Sequence, residues 1–152
     1  ETDKDIYVLT GDLGFGMWDD IKKDFPDRFV NCGASEQAMI GLAVGLAYKG
    51  KRVFVYSITN FVLYRPFEQI RNYIMQENLP ICLLGAGRDF DYESDGHSHH
   101  SPDAKAVLRA LQSAASPDVT LKTYFPEQKE EITTILDEIL SNSSPSFISL
   151  RR

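Results

Sequence analysis

Short runs of apolar residues alternate along the chain with longer segments in which apolar residues recur at the spacing of a helix. The short runs predict strands over residues 6–9, 29–31, 52–56, 80–84, 119–124 and 146–150. The longer segments predict helices over residues 17–24, 36–48, 61–77, 102–111 and 126–140. This alternation is typical of the α/β class: a three-layer sandwich with a mostly parallel sheet of about six strands between layers of helices.

Residues 1–152 are predicted to form one domain, because no repeat, low-complexity segment or Pro/Gly/Ser linker divides them. Ser35 is the expected N-cap of the second helix. Pro66 falls inside the third, where it kinks the helix or marks its start. Ligands of open parallel sheets bind at the carboxyl ends of the strands, so a functional site is expected in the loops that follow them.

The formal net charge of −6 argues against partners that need a basic surface. We therefore expect neither a nucleic acid nor a membrane as partner. No apolar stretch approaches the roughly 20 residues of a membrane span.

The two cysteines, Cys32 and Cys82, lie within or beside apolar runs. Buried, reduced thiols are typical of a cytoplasmic protein.

The segment 31–47, NCGASEQAMIGLAVGLA, is the most informative part of the chain. Glu36 falls in the first turn of the predicted helix, where the helix dipole favours a carboxylate. Small residues then make a surface that another backbone can approach closely: Gly41, Ala43, Gly45 and Ala47. The residues alone leave two interpretations open. Glu36 serves only the start of the helix, or it is a functional carboxylate.

This segment resembles the glutamate motif of the transketolase family, (N/D)-x-G-(I/A)-x-E-Q followed by a helix of small residues. The resemblance implies the thiamine-diphosphate-binding fold of the family's pyrimidine-binding domain. It also implies thiamine diphosphate as cofactor, with Glu36 as the carboxyl group that contacts N1′ of the aminopyrimidine ring. A hydrogen bond from a carboxyl group to N1′ favours the imino tautomer, whose exocyclic nitrogen can take the C2 proton of the thiazolium. Glu36 is then catalytic as well as cofactor-binding.

Residues 57–64, SITNFVLY, are similar to the family's aromatic pyrimidine pocket. The resemblance implies that Phe61 stacks on the pyrimidine ring and that Tyr64 supplies the aromatic side chain one turn later. Ile58 stands at a position that is often aromatic in the family. Asp12, in the turn 11–14, matches the Asp-Leu turn that lies close to the cofactor. Without the resemblance, the two aromatic residues are core residues and Asp12 is an ordinary turn residue.

Residues 94–101, SDGHSHHS, resemble the family's loop E-D-G-P-T-H-Q-P. The resemblance implies that Asp95 contacts a substrate hydroxyl and that His99 lies near the reacting carbonyl, as a catalytic and substrate-binding residue. His97 and His100 replace the family's Pro and Gln. For both, a surface histidine is the favoured interpretation, with a substrate contact by His97 as the alternative. No Cys or carboxylate cluster completes a tetrahedral set here, so we expect no metal ligands in this chain.

The sequence departs from the sugar-phosphate transketolases at three positions. Their Ser, His and Arg that hold the substrate phosphate align near Gly16, Gly87 and Phe125, whose side chains cannot do so. Arg88 is adjacent and is a candidate for a partial substitute. We therefore expect that the substrate is not an ordinary sugar phosphate bound in the usual manner.

The family binds the cofactor diphosphate and Mg²⁺ through a second domain, whose Gly-Asp-Gly motif this chain does not carry. The chain therefore resembles the C-terminal section of a split transketolase, or a domain excised from a longer protein. Either way, the expected partners are a diphosphate-binding domain or subunit, a second copy of the pyrimidine-binding domain, and a small sugar substrate.

The expected reaction is transfer of a two-carbon ketol unit from a ketose to an aldehyde. Two alternatives stay open. One is a β-type subunit of a 2-oxo-acid dehydrogenase or a deoxyxylulose-phosphate-synthase-like enzyme, and the other is a non-catalytic regulatory subunit. The Asp95-Gly96-x-x-His99 loop favours ketol transfer.

Overall fold

The sheet has six strands that all run parallel, in the spatial order β2-β1-β3-β4-β6-β5. The computed structural model describes residues 5–152. The strands are β1 (Ile6–Thr10), β2 (Phe29–Asn31), β3 (Arg52–Ile58), β4 (Ile81–Ala86), β5 (Lys122–Tyr124) and β6 (Ser146–Leu150). The prediction of a parallel α/β sheet of about six strands is confirmed.

Six α-helical segments, one π-helical turn and three 3₁₀ turns connect the strands of the described residues. The helices are α1 (Asp19–Asp24), α2 (Glu36–Tyr48), α3 (Thr59–Tyr64), α4 (Phe67–Gln69), α5 (Ala104–Ser113) and α6 (Glu131–Ser141). Helix α4 runs into a π-helical turn, Ile70–Ile74, and 3₁₀ turns occur at Pro26–Arg28, Glu93–Asp95 and His97–His99. Within residues 5–152, none of these helices is long and apolar enough to cross a membrane.

Two hydrophobic clusters lie on opposite faces of the sheet, because successive strand residues point to opposite sides. In β1, Leu9 belongs to the cluster packed under α2, α3 and α5, whereas Val8 belongs to the cluster packed under α1 and α6. The same alternation recurs in β6, where Phe147 and Ile148 are both buried and face opposite clusters. The three-layer arrangement is therefore confirmed.

The helix expected over residues 61–77 is not continuous, and the interruption expected at Pro66 is confirmed. The helix begins earlier, at Thr59, and is interrupted at Pro66, after which α4 and the π-helical turn follow. Proline has no N–H to donate to the preceding turn, so the regular ladder cannot continue through it. Ser35 does occupy the N-cap position of α2, but its hydroxyl donates to the carbonyl of Cys32 and does not cap the helix.

Candidate active site

The site lies at the carboxyl end of the sheet, where the chain changes direction. From β1 the chain moves to β2 on one side, then crosses back to β3 on the other side of β1. The loops after β1 and β3 therefore leave in opposite directions and open a crevice between them, which is where ligands bind in sheets of this kind. Helix α2, which follows β2, begins beside this crevice with Glu36.

Glu36 is buried at the crevice, with 2% of its surface exposed. Its Oε1 accepts a hydrogen bond of 2.9 Å from the hydroxyl of Ser57, near the end of β3. Its Oε2 lies 2.7 Å from Nη1 of Arg65, at the end of α3. A buried carboxylate needs such partners, because an unpaired charge away from water is strongly destabilising. Both oxygens are therefore held in a fixed direction.

Gly11, directly after β1, forms the floor under this carboxylate. A Cβ atom at Gly11 would lie 3.1 Å from Oε1 of Glu36 and 3.2 Å from the Ser57 hydroxyl. Those distances are tighter than ordinary contacts, so the missing side chain is what allows the carboxylate to approach β1 so closely. The crevice continues as a depression of about 630 Å³ lined by the first residues of α2 and by Arg65.

Phe61 lies between Arg65, which pairs with Glu36, and His99 of the histidine loop (residues 93–99). The Arg65 guanidinium carbon lies 3.6 Å from the centre of the Phe61 ring, and the ring of His99 meets the same ring edge-on at 5.0 Å. The structure therefore brings together three of the residues singled out in the sequence: Glu36, Phe61 and His99. Ile58 is buried at the end of β3, directly before α3.

The Tyr64 side chain points towards the start of α5, where its hydroxyl donates a 2.6 Å hydrogen bond to the carboxylate of the N-cap residue Asp103. Burial and this hydrogen bond raise the pKa of Tyr64. Its ring lines a second depression, together with Phe67 and residues of α5. A role for Tyr64 in cofactor binding stays a prediction.

Asp12 is exposed and lies in the turn after β1, with a left-handed backbone φ of 61°. Its carboxylate accepts a 2.8 Å hydrogen bond from the Asn31 side chain, whose oxygen accepts in turn from the backbone N–H groups of Asp12 and Gly33. Asn31 thus fastens the turn after β1 to the turn before α2.

The histidine loop consists of two 3₁₀ turns, Glu93–Asp95 and His97–His99, joined by Gly96 at a φ of 83°. Asp95 and His97 are exposed, whereas His99 is half-buried against Phe61. The Ser98 hydroxyl lies 3.0 Å from Nδ1 of His99. In the described part of the chain, residues 5–152, no three His, Cys, Asp or Glu side chains are grouped so as to hold a metal ion.

Asn60 fastens this loop to α3. Its side-chain amide donates a 2.7 Å hydrogen bond to the backbone carbonyl of Ser98, while its own oxygen is buried without a hydrogen-bond partner. Asn60, Ser57 and Arg65 were not singled out in the sequence. The signal available for Arg65 was its spacing of four residues from Phe61, which puts the two side chains on one face of a helix.

Arg88 is buried and its guanidinium is engaged inside the protein. Nε donates to the Ser149 hydroxyl, Nη2 to the backbone carbonyls of Pro126 and Ser149, and Nη1 pairs with Glu127. Four of its five N–H groups are thereby in use, so Arg88 is a poor substitute for the missing phosphate ligand.

Sequence comparison identifies the family. Residues 1–152 match the family described as transketolase, pyrimidine binding domain. One of the subunits of the apulose-4-phosphate transketolase of Phocaeicola vulgatus is 37% identical over 110 residues, which are 72% of this chain and 35% of that protein. A 1-deoxy-D-xylulose-5-phosphate synthase of Geobacter sulfurreducens is 32% identical over 142 residues, 93% of this chain and 20% of that protein.

Among solved structures, a split-gene transketolase described as an inactive β4 tetramer superimposes with a TM-score of 0.79 at 29% identity. The match covers 97% of this chain and 45% of that one. This chain therefore spans less than half the length of these relatives. With the family match over the whole chain and the buried glutamate at the switch point of the sheet, the chain belongs to the transketolase family, as its pyrimidine-binding domain.

Proposed function

We propose that this chain is the pyrimidine-binding part of a thiamine-diphosphate-dependent, transketolase-like enzyme that transfers a two-carbon ketol unit from a ketose to an aldehyde. The observation that carries the proposal is the buried carboxylate of Glu36 at the sheet's switch point, linked through Arg65 to the Phe61 ring. The relative from Phocaeicola vulgatus, which is part of an apulose-4-phosphate transketolase, supports the reaction class.

The residues present suit an aminopyrimidine. Glu36 offers a carboxyl oxygen that already faces an N–H group, and Phe61 offers an aromatic face that already carries a planar group. When bound, thiamine diphosphate supplies a nucleophilic carbon at C2 of its thiazolium ring. The task of Glu36 is to share a proton with N1′ of the pyrimidine, while Phe61 holds the plane of that ring. Ile58, Tyr64 and Asp12 complete the cofactor side of the proposal.

His99 acts on the substrate side. If the Ser98 hydroxyl donates to Nδ1 of His99, the imidazole proton resides on Nε2. Nε2 can then donate to a substrate oxygen on which negative charge develops. Asp95 accepts a hydrogen bond from a substrate hydroxyl, and His97 is a further substrate contact.

The diphosphate and Mg²⁺ are held by a separate domain or subunit. A second copy of this domain packs against the outer face of α2, where Gly41, Leu42 and Gly45 are exposed. A helix that is apolar on all sides is normally buried on all sides, and α2 carries apolar or small residues on its exposed face as well as on its buried one. The assembly works in the cytoplasm in this proposal, since Cys32 and Cys82 are both free.

The substitution Glu36→Gln tests the cofactor mechanism, because it keeps the shape of the side chain and removes its ability to take up a proton. In the assembled enzyme, hydrogen–deuterium exchange at C2 of bound thiamine diphosphate, followed by NMR, should slow by about 100-fold or more. Glu68→Gln is the matched control, since Glu68 is an exposed glutamate of α4. Normal exchange in the Glu36 variant would overturn the proposal.

The deoxyxylulose-phosphate-synthase-like alternative draws support from the Geobacter sulfurreducens relative. The donor substrate separates the two functions. A ketol transferase consumes a ketose without releasing CO₂, whereas the alternative consumes pyruvate and releases CO₂. Ketose consumption without CO₂ is the expected result, and pyruvate-dependent CO₂ release would favour the alternative.

A further inference from the structure

Arg65 makes both of the contacts that define the proposed pyrimidine site. Its Nη1 hydrogen-bonds to Oε2 of Glu36 at 2.7 Å, and its guanidinium carbon lies 3.6 Å from the centre of the Phe61 ring. A planar group with N–H donors therefore already lies on the Phe61 face with one edge against the Glu36 carboxylate. An aminopyrimidine ring would need the same face and the same carboxylate oxygen.

The burial of the two side chains explains why Arg65 stays against Glu36 and Phe61 and why it can also leave for solvent. The Glu36 side chain is 1% exposed, so leaving it charged and unpaired would be strongly destabilising. The Arg65 side chain is 45% exposed and sits at the C-cap of α3, on a long flexible stem next to solvent. It can swing into water without moving the backbone, since a hydrated guanidinium loses little there.

We propose that Arg65 is a placeholder for the cofactor ring: it occupies the aminopyrimidine position in the cofactor-free protein and leaves when the cofactor enters. This inference rests on the proposed function. The placeholder pairs the buried Glu36 charge whenever no aminopyrimidine ring is bound to it. It also competes with the cofactor, because ring entry must break the ion pair and the stacking contact first.

Arg65→Met tests the placeholder, since methionine keeps an unbranched stem and removes the planar cation. The full protein that contains this chain is assembled with its diphosphate-binding partner, and thiamine diphosphate is added at fixed Mg²⁺. Stopped-flow fluorescence gives the association rate and titration calorimetry gives the dissociation constant. We expect association about three- to tenfold faster and binding tighter by a similar factor, the scale of one half-exposed ion pair plus one cation–π contact. Arg65→Lys, which keeps the charge without the planar fork, should fall between the two proteins.

Arg71→Met is the matched control, because Arg71 is an exposed arginine in the nearby π-helical turn, Ile70–Ile74. Removing any positive charge should slow the approach of an anionic cofactor, so faster binding by the Arg65 variant cannot arise from the charge change alone. If the wild type binds and Arg65→Met binds no faster, or if Arg71→Met accelerates binding equally, the placeholder is overturned and the proposed function stands. If neither the wild type nor the variant binds thiamine diphosphate, both proposals fail.

Discussion

Asn60 is the residue that joins the cofactor side of the candidate site to its substrate side. It lies in α3 next to Phe61, and its amide holds the carbonyl of Ser98 in the loop that carries His99. This hydrogen bond between side chain and backbone therefore helps to hold His99 against the Phe61 ring. An amide donor is required there, because a carbonyl oxygen can only accept.

Asn60→Asp should loosen the histidine loop, since the new carboxylate faces the Ser98 carbonyl with no proton between them. Losing one partly buried hydrogen bond is worth about 1 kcal/mol, so the amide hydrogens of residues 97–100 should exchange about fivefold faster. Hydrogen–deuterium exchange with mass spectrometry measures this. The control is Asn72→Asp, because Asn72 is exposed and its side-chain oxygen accepts from Arg71, a role that a carboxylate also fills. Equal exchange in wild type and the Asn60 variant would show that the tether does not hold the loop.

Single residues also decide whether the site can bind a phosphate group of the substrate. Gly16 and Gly87 have no side chain that could bind a phosphate; a Cβ atom at Gly16 would have open space around it, and Gly87 lies against the Tyr92 ring. The Arg88 guanidinium is already hydrogen-bonded to the hydroxyl and the backbone carbonyl of Ser149. We expect a weak or absent response to xylulose 5-phosphate, measured as ketol transfer by the assembled enzyme. The same ketose without phosphate is the comparison. Robust turnover that depends on the phosphate would show that other groups bind it.

At the residue scale, the sequence singled out residues that stand in recognisable motifs and did not single out residues whose contacts cross between elements. Glu36, Phe61 and His99 lie close together, linked by the Arg65 side chain and by ring contacts. Arg65 and Ser57 were missed because their role is contact with Glu36, and a contact between α3, β3 and α2 depends on how those elements pack.

Helix α2 has two apolar sides, and only one of them is covered in the described chain. Met39, Ile40 and Ala43 are buried against the sheet, whereas Gly41 and Leu42 are exposed. The exposed side is the proposed contact with a second copy. A Cβ atom built at Gly41 has open space around it, so the single domain tolerates a side chain there.

Gly41→Leu should therefore separate assembly from folding. The free energy of unfolding of the single domain should stay equal or rise by up to about 1 kcal/mol, because glycine is unfavourable inside a helix. The dissociation constant of the self-associated form should increase about tenfold or more, since a leucine blocks close approach of two backbones. Sedimentation velocity measures the second effect and denaturant unfolding the first. Thr133→Leu on the exposed face of α6 is the control, and an unchanged dissociation constant for Gly41→Leu would place the interface elsewhere.

At the element scale, most predicted ends of strands and helices fall within two residues of the observed ones. The strands Phe29–Asn31 and Ser146–Leu150 have the expected bounds, whereas the strand expected over 119–124 covers only Lys122–Tyr124. The helix expected over 126–140 begins only at Glu131, whose carboxylate instead accepts hydrogen bonds from the backbone N–H groups of Glu127 and Gln128. Such loop contacts leave no periodic signal.

At the scale of the whole molecule, the loop after β4 is fastened to the end of β6 through Asp91. Burial alone would raise the pKa of Asp91, but hydrogen bonds from the backbone N–H groups of Arg88 and Arg152 and from the Arg151 side chain hold that pKa below its usual value. A carboxyl group with a lowered pKa stabilises the folded state above its unfolded-state pKa. That contribution is lost as the pH falls through the folded-state pKa.

Asp91→Asn should lower the free energy of unfolding at neutral pH by about 1 kcal/mol or less, because the Arg151 partner is half-exposed. The difference from wild type should shrink below about pH 4 and disappear in stronger acid, where the wild-type carboxyl group is also protonated. Urea unfolding at a series of pH values measures it. Asp137→Asn, at an exposed position on α6, is the control. A difference that does not change with pH would mean that shape, not charge, accounts for the loss.

The alternation of strands and helices predicted a parallel sheet, but not the order of its strands. That order places the ends of β1 and β3 side by side, and with them Gly11, Ser57 and Glu36. Which strands become neighbours is decided by the packing of helices onto both faces, which depends on contacts between residues far apart in the chain. The crevice therefore emerges only from the assembled sheet.

Glu36 and the exposed glycines share one rigid helix of 13 residues, about 20 Å long. The Cα atom of Gly41 is only about 7.5 Å along the helix axis from that of Glu36, so a contact that fixes the outer face of α2 also fixes the backbone that carries the carboxylate. Dilution of the protein should then weaken self-association and cofactor binding together. As copies separate, each molecule should release its cofactor more readily. The specific activity should therefore decrease as the protein concentration is lowered, even though every chain stays folded.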